Sequence, residues 1–293
     1  MRQIISVAKF NFRGFFRNPK VILTFLFGMI LCYMLSGRVM EVIRAYGTPI
    51  QVVEPFLWTF GDASSVLLSA VLLLLLFSDL PMVSSITPYY LHRTAKRKWL
   101  AGQMAYVAIV VFFYTCFLFG ATVLLCGKYS YMGNQWSETA AMLAYSKLGQ
   151  ELGVPSTVGV MESITPYGCM VQVFGLLFLY ALALSFLVLA GNLISGKNRG
   201  MVWGLLFSLY GFLLDRDVVA AVFGFREYEG YKTNLVIGWL SPLSHATYGR
   251  HSFGYDKLPT LFQSRLMFLG LLLIFTGVSL RAVKRYSFHF LGS

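Results

Sequence analysis

The sequence predicts an all-α integral membrane protein with six transmembrane helices, and three observations support this prediction. First, 57% of the 293 residues are hydrophobic and only 12% are charged, and the mean hydropathy is +0.67, whereas about a quarter of the residues in soluble proteins are charged. Second, six segments approach or reach the roughly 20 apolar residues that a helix needs to cross the hydrocarbon core. Third, the basic residues are concentrated in alternate loops, as in multi-pass membrane proteins.

The predicted spans follow each other along the whole chain. The fifth is short because the charged residues 215–217 end it, and the second includes Asp62, which we place at the outer interface. No small-residue cleavage pattern follows the basic N-terminal segment, so we expect the first span to remain as an anchor. The six spans are residues 21–37, 55–78, 99–126, 167–196, 200–214 and 261–280.

The charges between the spans predict the orientation of the chain. The N-terminal stretch, the loop before Trp99, the turn at residues 197–199 and the C-terminal tail together carry 14 basic residues and one acidic residue, Asp79. The other segments carry ten basic and eleven acidic residues. Because cytoplasmic loops are rich in Lys and Arg, we expect both termini in the cytoplasm. The same clustering beside apolar runs explains the net charge of +12 without a nucleic-acid partner.

Residues 1–18 form a predicted amphipathic helix. At about 100° per residue, its apolar side chains fall within an arc of about 120°, and its basic side chains occupy the adjoining arc. Such a helix lies in the membrane interface, with its rings among acyl chains and its cations on anionic headgroups, and Asn18-Pro19 ends it. The residues that we expect to contact membrane lipid are Lys9, Phe12, Arg13, Phe16 and Arg17.

The cytoplasmic loop 79–98, between the second and third spans, is not an ordinary polar connector. It carries an apolar and aromatic patch, and Thr87-Pro88 is a typical helix start. An exposed apolar patch on this face indicates a protein partner, and the alternative is that the patch folds back on its own spans. The patch consists of Leu80, Pro81, Met82, Val83, Ile86, Tyr89 and Tyr90.

The outer loop 215–260 contains two apolar stretches, 218–225 and 235–243, that are too short to span a membrane. We interpret them as re-entrant helices, which enter the membrane and return on the same side. The loop also contains His245 and His251. Their spacing matches no zinc motif, so we expect a solvated-loop or packing role for them.

The four cysteines follow no metal-binding spacing. Cys126 and Cys169 fall near the outer ends of neighbouring predicted spans, where a disulfide or two unpaired packing cysteines would fit. The unpaired arrangement is the interpretation that we favour, because free cysteines behave as small buried hydrophobic residues.

Taken together, these segments resemble the type-2 permeases of the ATP-binding-cassette (ABC) transporters. Those membrane subunits share an N-terminal elbow helix, six spans, a coupling helix in the loop after the second span, and two short re-entrant helices between the fifth and sixth. The matching pieces here are residues 1–18, the loop 79–98, and the stretches 217–225 and 234–244. The resemblance covers nearly the whole chain and rests mainly on architecture.

The resemblance implies the permease subunit of an exporter in a bacterial cell membrane. Residues 80–90 would dock into a groove on cytoplasmic ATPase subunits, which bind the ATP and Mg, and a second permease subunit, identical or different, would face this one. The uncharged spans favour a lipidic, amphiphilic or peptidic substrate. No phosphate-binding loop exists here, because Gly127-Lys128 is followed by Tyr129 and Gly196-Lys197 by Asn198. We therefore expect no cofactor and no enzymatic activity in this chain.

Two other classes of function compete with this interpretation. An intramembrane enzyme needs catalytic groups at membrane depth, and an ion-coupled secondary transporter usually buries an ionisable group on the coupling path. No Asp, Glu, Lys, Arg or His lies deep within the predicted spans. This argues against the enzyme and against proton coupling, whereas sodium could still be held by carbonyl and hydroxyl oxygens alone.

Overall fold

The computed structural model describes residues 2–83, 87, 94–146, 149, 154–196, 198–214, 216–226, 229–254 and 256–286. This part of the chain is mainly helical, and its two-residue strands β1 (Ile50–Gln51) and β2 (Ser130–Tyr131) pair in parallel. In chain order the helices are α1 (Arg2–Phe12), α2 (Pro19–Tyr46), α3 (Glu54–Phe60), α4 (Ala63–Leu76), α5 (Lys96–Cys126), α6 (Glu138–Tyr145), α7 (Val158–Ser163), α8 (Pro166–Ser195), α9 (Arg199–Leu213), α10 (Arg216–Phe223), α11 (Gly230–Leu240), α12 (Pro242–Ala246) and α13 (Leu261–Arg285).

Four of these helices, α2, α5, α8 and α13, are long and apolar enough to cross a membrane. The pair α3 and α4 would make a fifth span, and α9 is a shorter apolar helix of 15 residues. The described residues therefore form a multi-pass, membrane-type bundle with four or five spans by length and composition, and the sixth span stays a prediction. The predicted stretches 218–225 and 235–243 fall largely in helices α10 and α11.

The predicted second span, 55–78, is broken rather than continuous. Helices α3 and α4 meet at an angle of 83° around Gly61. The side chain of Asp62 accepts hydrogen bonds from the backbone N–H groups of Ser64 and Ser65, which caps the start of α4. Because an N-cap residue has extended rather than helical backbone angles, the cap starts a new helix where hydropathy alone predicts one long helix.

Helix α8 is the centre of the bundle, packed by α4, α5, α9 and α13. In the most apolar 18-residue stretch of α8, 72% of the residues are buried, whereas 17% are buried in the corresponding stretch of α13. Peripheral helices such as α13 expose large apolar side chains, among them Leu273 and Ile274. Exposed apolar faces of this kind suit contact with lipid rather than water.

Helix α1 lies against the start of α5. Gly102 permits this contact, because a Cβ there would lie 2.6 Å from the Cβ of buried Val7. We call this side of the molecule the α1 end of the bundle. The ring of Phe12 lies 4.8 Å from the ring of Tyr106, whereas Phe16 is 84% exposed. The predicted interface cations Lys9, Arg13 and Arg17 are also exposed. Their contact with lipid stays a prediction.

At the opposite end, the chain between α5 and α8 is held to α3 by a buried carboxylate. Glu54 accepts hydrogen bonds from the backbone N–H of Gln51 (3.0 Å) and from the backbone N–H (2.8 Å) and hydroxyl (2.7 Å) of Ser137.

Cys126 and Cys169, in this same region, are buried free thiols. The interpretation of unpaired packing cysteines therefore agrees with the structure.

Candidate functional site: a polar clamp on the segment after helix α4

Residues 78–83, which follow α4, run across the α1 end of the bundle and are bound there by side chains from three helices. We refer to Lys20, Gln103 and Asn192, together with the backbone that they bind, as the polar clamp. Leu80 is 1% exposed and Pro81 is buried, and Met82 and Val83 are half-buried. The segment is therefore an integral part of the packed structure.

Asn192, in the last turn of α8, is the central residue of the clamp. Its side-chain Nδ2 donates to the carbonyl oxygens of Leu80 (2.6 Å) and Ser78 (3.2 Å), and its Oδ1 accepts from the backbone N–H of Gly200 (2.7 Å). Asn192 is fully buried. A carboxamide has two N–H donors and an acceptor oxygen, so one side chain joins the ends of α8 and α9 to the segment after α4.

Glycine allows α9 to start close enough to α8 for this bond to form. A Cβ at Gly200 would lie 2.0 Å from the carbonyl oxygen of Val188 and 2.7 Å from the backbone nitrogen of Asn192. A Cβ at Gly191 would lie 2.7 Å from the Cα of Gly200. The two backbones are therefore in direct contact at this point, as small residues permit between membrane helices.

Gln103, near the start of α5, binds the backbone of Met82 at both polar atoms. Its Oε1 accepts from the Met82 N–H (3.3 Å) and its Nε2 donates to the Met82 carbonyl oxygen (3.1 Å). Gln103 is fully buried. Because a buried polar side chain without a partner is costly, the contact of Gln103 with both backbone groups stabilises one position of Met82 relative to α5.

Lys20, at the start of α2, completes the clamp. Its ammonium group donates to the hydroxyl of Ser78 (2.7 Å) and forms an ion pair with Asp79. The Ser78 hydroxyl in turn donates to the carbonyl oxygen of Leu75, 3.0 Å away. Both charged side chains are about one-third exposed, at 32% and 37%, so solvent screening limits the free energy that this pair contributes.

The clamp connects one short segment to the ends of α2, α5, α8 and α9. Its groups are two carboxamides, backbone N–H and carbonyl groups, one hydroxyl and one ion pair, and together they hold the backbone of this segment in place. Residues 78–82 are therefore joined by direct contacts to α2, α5 and α8, and through Asn192 to α9.

The predicted coupling patch is only partly described. Leu80 and Pro81 are inside the bundle, where they anchor the segment, and Met82 and Val83 lie at its edge. Ile86, Tyr89 and Tyr90 lie outside the described residues, so their predicted docking role stays a prediction. Sequence reasoning missed the clamp itself. Its only signal was the presence of the uncharged polar residues Gln103 and Asn192 near the ends of apolar runs.

A second polar cluster, at the opposite end of the bundle, consists of two histidines and one serine. His245 and His251 are 3% and 2% exposed, so they are buried and do not lie in a solvated loop. The hydroxyl of Ser264 lies 2.7 Å from Nδ1 of His245 and 2.8 Å from Nε2 of His251. The other two ring nitrogens each lie 3.0 Å from a backbone carbonyl oxygen, that of Trp239 and that of Tyr248.

The hydrogen atoms in this cluster can be counted. Two neutral imidazoles and one hydroxyl supply three protons for four contacts, so one contact has no hydrogen bond unless the pair takes up a proton. Burial lowers the pKa of His245 and of His251 below the ordinary value of 6.5, and the charge of Arg265 contributes to the shift at His251. Both rings are therefore neutral near pH 7, and the cluster contains one unmade hydrogen bond.

Among the described residues no group of three or more His, Cys, Asp or Glu side chains is arranged to hold a metal ion. Comparison with protein-family models, with curated proteins and with solved structures finds no match for this chain.

Proposed function

We propose that this chain is the permease subunit of an ABC type-2 exporter with six spans and both termini in the cytoplasm. Its partners would be separate cytoplasmic ATPase subunits, which bind ATP and Mg, and a second permease subunit. Its substrate would be lipidic, amphiphilic or peptidic, and its location a bacterial cell membrane. The observation that carries the proposal is the clamp that ties residues 78–83 to the ends of α2, α5, α8 and α9.

A transporter that borrows an ATPase needs a stiff link between the ATPase surface and its own helices. A loop that only connects two spans is exposed and mobile, and it absorbs an applied movement instead of passing it on. The described residues directly after α4, 78–83, differ from such a connector, because Asn192 and Gln103 bind their backbone on two sides. This attachment is what supports a coupling role for the loop.

The charges at the α1 end support the predicted orientation. Arg97 and Lys98, at the start of α5, are exposed beside the exposed cations of α1. Anionic lipids are concentrated in the cytoplasmic leaflet and attract basic segments at its surface. These exposed cations fit a cytoplasmic location for the α1 end.

The first test is purification of the tagged protein from its native cells in mild detergent, followed by mass spectrometry of the proteins that come with it. We expect a stoichiometric ATPase that contains a phosphate-binding loop. A second six-span chain in the same preparation would identify a heterodimer. A monodisperse protein that purifies without any ATPase would overturn the proposal.

A matched pair of variants then locates the docking surface. Met82→Glu places a charge at the edge of the clamped segment, and we expect about tenfold weaker association with the ATPase because the charge must be desolvated at the contact. Met132→Glu is the control, since Met132 is 88% exposed and lies at the opposite end. Equal association of both variants would remove the docking assignment.

A further inference from the structure

The two buried histidines fasten one segment of the chain between α11 and α13. Nε2 of His245 lies 3.0 Å from the carbonyl oxygen of Trp239, at the end of α11, and both rings contact the hydroxyl of Ser264, near the start of α13. The rings belong to residues 241–251, which contain α12 and the turn after it. We call these residues the histidine segment. The cluster therefore holds this segment to the helices before and after it in the chain.

The histidine segment also forms part of the wall of a cavity of about 730 Å³. Residues 243–244, directly before His245, and residues 249–250, directly before His251, line this cavity. Its other walls include the start of α4, the end of α9 and the helices α10 and α11. A movement of the histidine segment away from α13 would therefore change the shape of the cavity.

The unmade hydrogen bond in the cluster is a place for one proton. Carbonyl oxygens only accept, so the two contacts with backbone carbonyls each need a ring N–H. The other two ring nitrogens then both carry lone pairs, and they face the single hydrogen of the Ser264 hydroxyl. If one ring takes up a proton, its new N–H donates to the hydroxyl oxygen, and the hydroxyl donates to the other ring. All four hydrogen bonds are then made.

A second proton has no such place. Both nitrogens beside the hydroxyl of Ser264 would then be donors, and the hydroxyl hydrogen would have no acceptor within the cluster. Two positively charged rings would also face each other across one oxygen atom, in a buried site where water screens charges poorly. The first proton therefore completes the hydrogen bonds of the cluster, and the second disrupts them.

The surrounding charges oppose a second proton as well. Burial lowers the pKa of His251 most, and the charges of His245 and of Arg265 on α13 lower it further. Burial also lowers the pKa of His245. The cation on the histidine segment itself, Arg250, is exposed to solvent. Among the described residues no carboxylate forms a hydrogen bond or an ion pair with either ring.

Other titratable side chains also lie on the elements packed around the segment. Burial raises the pKa of Tyr248, whose ring centre lies 6.4 Å from that of His251. On α8, Cys169 is a buried free thiol that lines a small cavity together with Tyr248. Asp62 accepts hydrogen bonds from two backbone N–H groups at the start of α4. Histidine is the side chain that ordinarily titrates between about pH 5 and 8, so the two imidazoles carry the pH response of this cluster.

We propose that the cluster is an acid-operated latch, which accepts one proton while closed and releases the histidine segment from α13 when the second proton binds. After release both rings reach water and titrate near about 6.5. Below that pH the released state binds more protons than the closed state, so acid favours release and a change in the cavity. The latch needs no ATPase and is independent of the proposed function. In the proposed orientation it faces the outside of the cell and responds to external pH.

The test follows the purified full-length chain in detergent from about pH 8 to about pH 5. NMR of isotope-labelled histidine rings reports protonation. Amide hydrogen exchange, corrected for the pH dependence of free amides, reports release. We expect one ring to gain a proton while exchange in the histidine segment is unchanged. The second proton should coincide with about tenfold faster exchange in this segment, whereas the middle of α8 keeps its protection. Protonation of both rings with unchanged exchange, or equal loss of protection in α8, would overturn the proposal.

Variants identify the groups that carry the response. His251→Gln keeps an amide in place of the ring but takes up no proton, so acid should no longer accelerate exchange in the histidine segment. Arg265→Gln removes a cation that lowers the pKa of His251, so release should occur at a higher pH. This variant keeps both rings and tests the latch even if His251→Gln does not fold. Lys128→Gln is the control, because this exposed lysine lies at the same end of the bundle outside the cluster. If Arg265→Gln shifts release no more than Lys128→Gln does, the cluster is not the sensor.

Discussion

Asn192 donates a hydrogen bond of 2.6 Å from its buried side chain to the carbonyl oxygen of Leu80. The two residues are 112 positions apart in the chain. The same side chain accepts a hydrogen bond from the backbone of Gly200, so it joins three segments at the point where α8 ends and α9 begins.

Replacement of Asn192 by Asp should destabilise the protein by about 1–3 kcal/mol. A carboxylate still accepts from Gly200, but it donates no hydrogen bond and repels the carbonyl oxygens of Leu80 and Ser78. The thermal unfolding midpoint in detergent measures this loss. Asn198→Asp makes the same chemical change at an exposed position and should alter the midpoint little. Equal midpoints for the two variants would contradict the clamp.

Two glycine substitutions should change the stability of the folded protein in opposite directions. Gly200→Ala brings a Cβ within 2.0 Å of the Val188 carbonyl oxygen, and overpacking of this kind costs about 1–3 kcal/mol. Gly175→Ala, in the same bundle, meets nothing within 4 Å and should stabilise α8 by up to about 1 kcal/mol, because alanine favours helices over glycine. Unfolding midpoints of both variants, measured side by side, check the prediction. A stable Gly200→Ala protein would rule out the tight contact between α8 and α9.

Stability should fall as the pH is lowered from 8 to 5. Burial lowers the pKa of His245 and His251 in the folded state, whereas both titrate near about 6.5 when unfolded. The unfolded state therefore binds more protons below about pH 6.5, and the stability present above that pH is lost as the pH falls through the folded pKa values. Unfolding midpoints across this pH range measure the effect. A midpoint that rises on acidification would contradict it.

The shared hydroxyl of Ser264 gives a second test of the same cluster. Ser264→Ala removes the partner of one nitrogen on each ring and should cost about 1–3 kcal/mol near pH 7. Ser163→Ala is the control, because this exposed serine donates only to the carbonyl oxygen of Val160. If both alanine variants unfold at the same midpoint, the hydroxyl does not bind the two imidazoles.

Cysteine labelling from outside the cell checks the orientation. Cysteines introduced by Ser130→Cys and Gly230→Cys should react with a membrane-impermeant maleimide in intact cells, and one introduced by Lys96→Cys should react only after lysis. The unmodified protein is the control, since three of its four cysteines are buried and Cys116 is half-buried. Reversed labelling would place both termini outside.

The sequence by itself determined where most of the apolar helices lie. The predicted span 167–196 corresponds to α8, Pro166–Ser195, and 99–126 corresponds to the apolar part of α5, Lys96–Cys126. This part is predictable because burial in a hydrocarbon core depends on a local run of about 20 apolar residues. Local signals also explain helix starts such as Asn18-Pro19, where the Asn18 side chain accepts from the backbone N–H of Lys20.

Only the tertiary structure decided which polar residues act together. Hydropathy predicts one helix through Gly61, and it gives no reason to pair Asn192 with Leu80 or to bury His245 and His251 against Ser264. Each of these contacts joins residues from different elements, so its free energy appears only when the helices pack. A buried polar group needs a hydrogen-bond partner within the fold. The sequence shows which residues are polar, but it does not show which residue is the partner.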